Sequence, residues 1–157
     1  MSGRILVAWF SAGGATARVA RELAEAVGAD RYEIRPAQPY TAADLDWTDR
    51  NSRSTREMQD PSCRPALSGP LPDLGLYGTV FVGFPVWWGV EPRIVDTFLE
   101  SGDFSGKRMV PFATSGGSGI AGAEKSLREH CPAARWERGR LLRAPGGAEW
   151  ARQLCRG

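Results

Sequence analysis

Three short stretches of the chain combine residue types that hold ligands. Ser11-Ala12-Gly13-Gly14-Ala15-Thr16 places two glycines between two hydroxyls. Where such a turn opens a helix, its first N–H groups lack helical partners and the helix dipole favours negative charge. A phosphate suits that position, and glycine lets the backbone come close to so bulky a group. Pro85-Val86-Trp87-Trp88-Gly89 sets two indoles side by side in a loop. Their π-faces suit stacking on a flat ring; the same pair could instead close the core over the end of the sheet. Thr114-Ser115-Gly116-Gly117-Ser118-Gly119 is a glycine-rich wall against which a flat ring can settle.

Other chemistries find little support. Ser115 and Ser118 lack the Gly-x-Ser-x-Gly setting of a hydrolase nucleophile, and no catalytic triad is legible, so no side chain is assigned a catalytic role. Cys63, Cys131 and Cys155 are far apart and odd in number, which argues against a disulfide framework and a structural zinc site. The single histidine, His130, precedes Cys131-Pro132 and reads as a helix-capping or surface residue. A metal there would need carboxylates recruited from elsewhere in the chain, and none is expected.

The elements that must position the three stretches follow from apolar patterning. Ile5 to Phe10 is a continuous apolar run suited to a strand buried on both faces, and a helix follows from Ala15. Val19, Ala20, Leu23, Ala24 and Val27 recur at helical spacing and Gly28 stops them. Tyr32 to Arg35 suits a short strand. Thr41 to Met58 is polar and could open as a helix capped by Thr41, with Asp44 three residues on. Asp60 to Asp73 holds several prolines and suits an extended connection. Thr79 to Phe84 and Arg108 to Ala113 are further apolar strands; helices suit the stretch from Pro92, Ile120 to His130, and Ala148 to Leu154. Ala134 to Arg138 is a weak last strand. Repetition of βα predicts an open parallel sheet with helices on both faces. In such sheets ligands bind beyond the carboxyl ends of the strands, which is where the three stretches fall.

At 157 residues the chain is expected to form one domain, residues 1–157. With 42% hydrophobic and 24% charged residues it has the composition of a folded protein. A net charge of +2, with scattered basic residues, argues against nucleic acid or an anionic membrane as partner. No stretch has the layout of a signal peptide and the Ile5 run is too short to span a bilayer. A cytoplasmic location is expected.

These motifs together resemble the flavodoxin-like FMN-binding proteins. The resemblance rests on Ser-x-x-Gly-x-Thr after the first strand, Gly-Phe-Pro-Val-Trp-Trp-Gly after the third, and Pro-Phe-x-Thr-Ser-Gly-Gly-Ser-Gly after the fourth. It runs along nearly the whole chain, including Leu71 to Leu74 and Phe104 to Lys107. It implies a flavodoxin-like three-layer α/β/α sandwich with a five-stranded parallel sheet in the order 2-1-3-4-5. By resemblance, Ser11 and Thr16 give hydroxyls to the FMN phosphate and the N–H groups of Gly13, Gly14 and Ala15 line it. Pro85, Val86, Trp87, Trp88 and Gly89 flank the isoalloxazine; Ser115, Gly116, Gly117 and Ser118 hold its other edge and the ribityl chain. Gly89 is the candidate for a peptide that turns over when the flavin is reduced. The phosphate loop departs from the family's Ser-x-Thr-Gly-Asn-Thr, with Gly13 for Thr and Ala15 for Asn. One hydroxyl donor to the phosphate is lost, and weaker FMN retention is expected.

The function implied is redox chemistry on non-covalently bound FMN, with the protein supplying position and electrostatics. One form is an electron carrier working with a redox partner protein. Another is a small reductase that takes hydride from NAD(P)H to a quinone or similar acceptor, so whether the chain is an enzyme stays open. A third, of a different class, is a binding module on the same fold that has lost FMN. A receiver-type signalling domain would need acidic residues where Ser11 and Pro85 stand.

Overall fold

The computed structural model describes residues 3–156. Strand β1 (Arg4–Trp9) leads through a glycine turn into helix α1 (Ala15–Val27), followed by β2 (Asp30–Glu33). A long irregular stretch holds one short helix, α2 (Arg53–Gln59), and ends in a 3-10 turn at Leu74–Leu76. Then come β3 (Tyr77–Pro85), α3 (Arg93–Ser101), β4 (Arg108–Thr114) and α4 (Ala121–His130). Two very short strands, β5 (Arg135–Trp136) and β6 (Arg140–Leu141), precede α5 (Ala148–Arg156).

Strand order is β2-β1-β3-β4-β5, with β6 also on β4, and all pairings are parallel. The 2-1-3-4-5 order expected of a flavodoxin-like α/β sandwich is present, and the fifth position is filled by two pieces instead of one strand. Pro111 supplies the reason. The N–H groups of Arg135, Glu137 and Leu142 donate to the carbonyls of Lys107, Met109 and Ala113. Pro111 lies on that same side of β4 and has no N–H to give the edge strand. Opposite it the chain bulges: a Cβ on Gly139 would lie 2.5 Å from the Pro111 carbonyl oxygen, and the Gly139 N–H turns to Glu124 Oε2 at 2.7 Å.

Two apolar layers sandwich the sheet. On one face Val7, Trp9, Phe81, Val110 and Phe112 pack on Val19, Ala20 and Leu23 of α1 and Ala151 of α5. On the other, Leu6, Ala8, Phe10, Val80, Val82 and Phe84 pack on Ile94, Val95, Phe98 and Leu99 of α3 and Leu127 of α4. With both faces covered, the strands read as continuous apolar runs.

The stretch from Thr41 departs from expectation. Thr41 N–H donates to Asp44 Oδ2 and Asp44 N–H to Thr41 Oγ1, the reciprocal bonds of a capping box, yet no helix follows. Asp46 and Asp49 instead accept from the N–H groups of Thr48 and Asn51, two residues on. Such local bonds offer the backbone an alternative to the helix. The helix begins at Arg53, where Ser52 caps it by accepting from Thr55 N–H. No helix among the described residues is long and apolar enough to cross a membrane.

Candidate functional site

The three stretches singled out in the sequence meet at the carboxyl end of the sheet. Residues 10–14 link β1 to α1, residues 86–92 follow β3, and residues 115–120 follow β4. Pro85 and Thr114 are partners in the β3–β4 ladder, and Val86 N–H donates to the Thr114 carbonyl at 2.9 Å. The second and third loops are thereby fastened together at their roots.

The first loop presents donors. Gly14, at φ +96, is the N-cap of α1, a backbone state that glycine reaches without steric cost. No side chain caps this helix end, so its first N–H groups face outward with the positive end of the dipole. Ser11 Oγ accepts from Gly14 N–H at 3.0 Å, which tightens the turn and leaves the serine hydroxyl hydrogen to donate. Gly13 and Gly14 have open space where a side chain would stand. Thr16 is 1% exposed, and its hydroxyl lies 2.8 Å from that of Thr114. The pair owns two hydroxyl hydrogens and uses one between them, so one stays free. Thr114 lines the cavity described next, which Thr16 does not itself line.

The second loop separates its two indoles. Trp87 N–H and Val90 N–H each donate to the other's carbonyl, at 2.9 and 3.1 Å, closing a tight turn. Its central residues, Trp88 at φ +51 and Gly89 at φ +82, have the backbone of a type I′ turn. Trp87 is held edge-on by Phe10 and Tyr40, each with ring centroid 5.6 Å away. Behind it, the Arg53 guanidinium lies over the Tyr40 ring and Tyr40 donates to Glu57 Oε1. Burial first, then the Glu57 carboxylate, pushes the Tyr40 hydroxyl well above its ordinary pKa. Trp87 thus belongs to the packed structure, while Trp88 stands 49% exposed. A bulky residue with positive φ is strained by order 1–3 kcal/mol, and such strain concentrates at ligand clamps.

Two cavities adjoin at these loops. One, of about 470 Å³, is lined by Ala15, Arg18, Pro85, Thr114, Leu142 and Arg143 among others. The second, of about 540 Å³, is lined by Leu45, Trp47, Ser54, Trp88, Gly117 and Ser118. Val86, Trp87, Ser115 and Gly116 line both, so the two cavities adjoin along these residues and together make a trough-like depression. Gly116 and Gly117 have open space at the Cβ position, and Ser115 Oγ accepts from Gly117 N–H at 3.1 Å. The trough contains Ala15, Pro85, Val86, Trp87, Trp88 and Ser115 to Ser118 from the expected site; Ser11, Gly13, Gly14, Thr16 and Gly89 lie beside it in the same loops.

Several lining residues were not singled out by sequence. Arg18 is on the exposed side of α1, one helical turn past Gly14, and Arg143 follows β6; neither has an acidic partner among the described residues. Trp47 is 74% exposed and lines the same cavity as Trp88. No local signal could have found Arg143, because β6 itself is set by Pro111 in a different strand. Arg18 was findable, three positions into an expected helix that opens at a glycine turn.

The trough is polar and cationic at one end and aromatic at the other, with backbone donors between. It can hold a flat, elongated, anionic molecule, and among the described residues no carboxylate or imidazole lines it. The residues present fit a flavin mononucleotide: open glycines, an uncapped helix N-terminus, two unpartnered guanidinium groups and two exposed indoles.

The sequence profile of the flavodoxin family matches residues 4–152. Among solved structures, a candidate flavoprotein from Bacteroides uniformis is 52% identical, each chain being covered over 100% of its length, with a TM-score of 0.92. One from Bacteroides eggerthii is 48% identical over 98% of this chain and 96% of that chain, again with a TM-score of 0.92. A flavoprotein from Lactobacillus acidophilus, solved in complex with FMN, is similar in fold at 17% identity and a TM-score of 0.73. That match covers 88% of this chain and 93% of the other. No curated protein sequence matches significantly.

Proposed function

This chain belongs to the flavodoxin family, and from that premise we propose that it binds FMN non-covalently in the trough and transfers electrons through it. The observation that carries this reading is that the two cavities adjoin at Val86, Trp87, Ser115 and Gly116. One end supplies Arg18, Arg143 and the α1 N-terminus for a phosphate; the other supplies Trp47, Trp88 and the Ser115–Ser118 wall for a ring. FMN, when bound, supplies the redox chemistry. The chain's own residues bind and orient it: Ser11 and the N–H groups of Gly13, Gly14 and Ala15 donate at the phosphate end, with a hydroxyl from the Thr16–Thr114 pair. Pro85, Val86, Trp88 and Gly89 flank the ring, and Trp87 backs the turn that carries them.

The partner of this reading is a redox protein that meets the exposed Trp88 edge. A small NAD(P)H-dependent reductase of quinones or similar acceptors is the second reading. It is favoured by the weakly basic chain, whose charge of +2 gives little steering toward a basic partner protein. The FMN-less binding module is the third. Titration of the apo-protein with FMN, followed by anaerobic NADPH, separates the three. The carrier binds one FMN and keeps its visible absorbance when NADPH alone is added. Rapid bleaching by NADPH alone makes it a reductase; no flavin uptake makes it a binding module.

A further inference from the structure

On the α3–α4 face of the sheet lies a second cluster of chemistry-bearing side chains that the flavin trough does not use. Glu91 directly follows the Trp87–Val90 turn, Asp96 is in the first turn of α3, and His130 ends α4. Glu91 and Asp96 are both 0% exposed, His130 only partly so. Both carboxylate oxygens of Asp96, and Oε1 of Glu91, have no hydrogen-bond partner among the described residues. The nearest guanidinium, Arg93, keeps Nη1 4.0 Å from Asp96 Oδ2, while its Nε and Nη2 serve the carbonyls of Glu57 and Met58.

Two carboxylates buried side by side, with three of their four oxygens lacking a hydrogen bond, cost several kcal/mol each if ionised. A metal at His130 needs carboxylates from elsewhere in the chain, and the fold brings two beside it. We propose that Glu91, Asp96 and His130 bind one divalent cation of the zinc class.

The geometry suits that ion. His130 Nδ1 lies 3.6 Å from Asp96 Oδ1 and 3.7 Å from Glu91 Oε2, and one ligand atom from each residue falls within 4.8 Å of the others. Zinc at about 2.0–2.2 Å from tetrahedral nitrogen and oxygen ligands holds them roughly 3.3–3.6 Å apart. An imidazole with two carboxylates selects zinc or a neighbouring transition metal over magnesium and calcium, which prefer all-oxygen sets. Ser126 Oγ donates to Glu91 Oε2 at 2.8 Å, the kind of outer bond that orients a metal-bound carboxylate. In the metal-free chain His130 Nδ1 lies 2.8 Å from the Ser126 carbonyl, as an N–H donor. On metal entry the ring turns off the Ser126 carbonyl and changes tautomer: the Nδ1 proton leaves, Nε2 takes one from solvent, and the Nδ1 lone pair takes the cation, so the imidazole stays neutral. The proton released to solvent is the one on the Glu91 carboxyl. Two carboxylates and one dication are then neutral together.

The test is calorimetric titration of the full chain with zinc chloride, made in a Cys63→Ser, Cys131→Ser, Cys155→Ser background so that thiolates cannot take the ion. The expected result is one zinc per chain, proton release seen as a buffer-dependent enthalpy, and a raised Tm. Asp96→Asn and His130→Ala should each lose at least tenfold in zinc affinity and abolish the rise in Tm. Without zinc, Asp96→Asn should melt close to its parent, because Asn keeps the shape of the side chain while removing a buried carboxylate whose oxygens have no hydrogen bond. Should it fail to fold, Glu91→Gln takes its place with the same two outcomes. No zinc uptake by the parent, or equal affinity in the parent and the variants, overturns the proposal.

Discussion

The hydroxyl oxygens of Thr16 and Thr114 lie 2.8 Å apart, joining the first turn of α1 to the last residue of β4. The bond spans 98 positions of sequence and ties the start of α1 to the end of β4, so it holds the loop after β1 and the loop after β4 at a fixed separation. Because both residues are buried, removing one partner leaves the other unsatisfied, at a cost of about 1–3 kcal/mol. Thr114→Val should therefore lower stability by about that much in urea unfolding. Thr16→Val with Thr114→Val should recover most of it, since neither hydroxyl is then orphaned. A double variant as unstable as the sum of the singles would contradict the pairing.

Trp88 combines positive φ with exposure at the trough, so its contributions to stability and to binding should have opposite signs. Trp88→Gly relieves a left-handed residue that costs roughly 1–2 kcal/mol, and the apo-protein should be at least as stable as the parent. FMN affinity should fall at least tenfold through loss of ring contact. Thermal melts and flavin fluorescence titration check the two halves separately. A marked loss of apo stability would show that Trp88 packs as core.

Arg18 and Arg143 answer the expectation that this phosphate loop is weakened. Gly13 and Ala15 supply no side-chain donor, but two guanidinium groups line the adjoining cavity. Arg18→Ala and Arg143→Ala should each weaken FMN binding about tenfold, a charged hydrogen bond contributing about 1.5–3 kcal/mol before screening by solvent. Riboflavin, which lacks the phosphate, should bind the variants and the parent alike. Parallel losses for both flavins would place these arginines elsewhere than the phosphate.

In zinc-free protein the buried acid cluster should tilt stability with pH. Burial, then the neighbouring Asp96 carboxyl, pushes the Glu91 carboxyl up to about 9, against about 4.3 in an unfolded chain. Between those values the folded chain holds the extra proton, so unfolding releases it and stability falls as pH rises. Urea midpoints measured from pH 5 to 9 should decline, and Glu91→Gln should flatten the slope. An unchanged slope in that variant would remove Glu91 as its source.

Much of this architecture was legible in the chain. The apolar runs at Ile5, Thr79 and Arg108 mark buried parallel strands because both of their faces are covered, and the loops that follow them fall at one end by topology alone. What stayed hidden depended on contacts between distant residues. The break between β5 and β6 arises from a missing N–H on Pro111, one strand away. The helix expected at Thr41 gave way to side chains of Asp46 and Asp49 that bond their own backbone. The different fates of Trp87 and Trp88 follow from the sign of φ in a two-residue turn. His130 caps its own helix through the Ser126 carbonyl, as its place before Cys131-Pro132 suggests; that Glu91 and Asp96 lie beside it was hidden, because they stand more than thirty residues away in sequence.

The location of the flavin in the trough is tested most directly by two-dimensional NMR of the labelled chain titrated with FMN. The account predicts saturable shifts at one equivalent, confined to the amides of residues 11–18, 86–90, 114–118 and 142–144 and to the indole N–H groups of Trp47 and Trp88. Shifts centred on other surfaces, or none at a flavin excess, would contradict it.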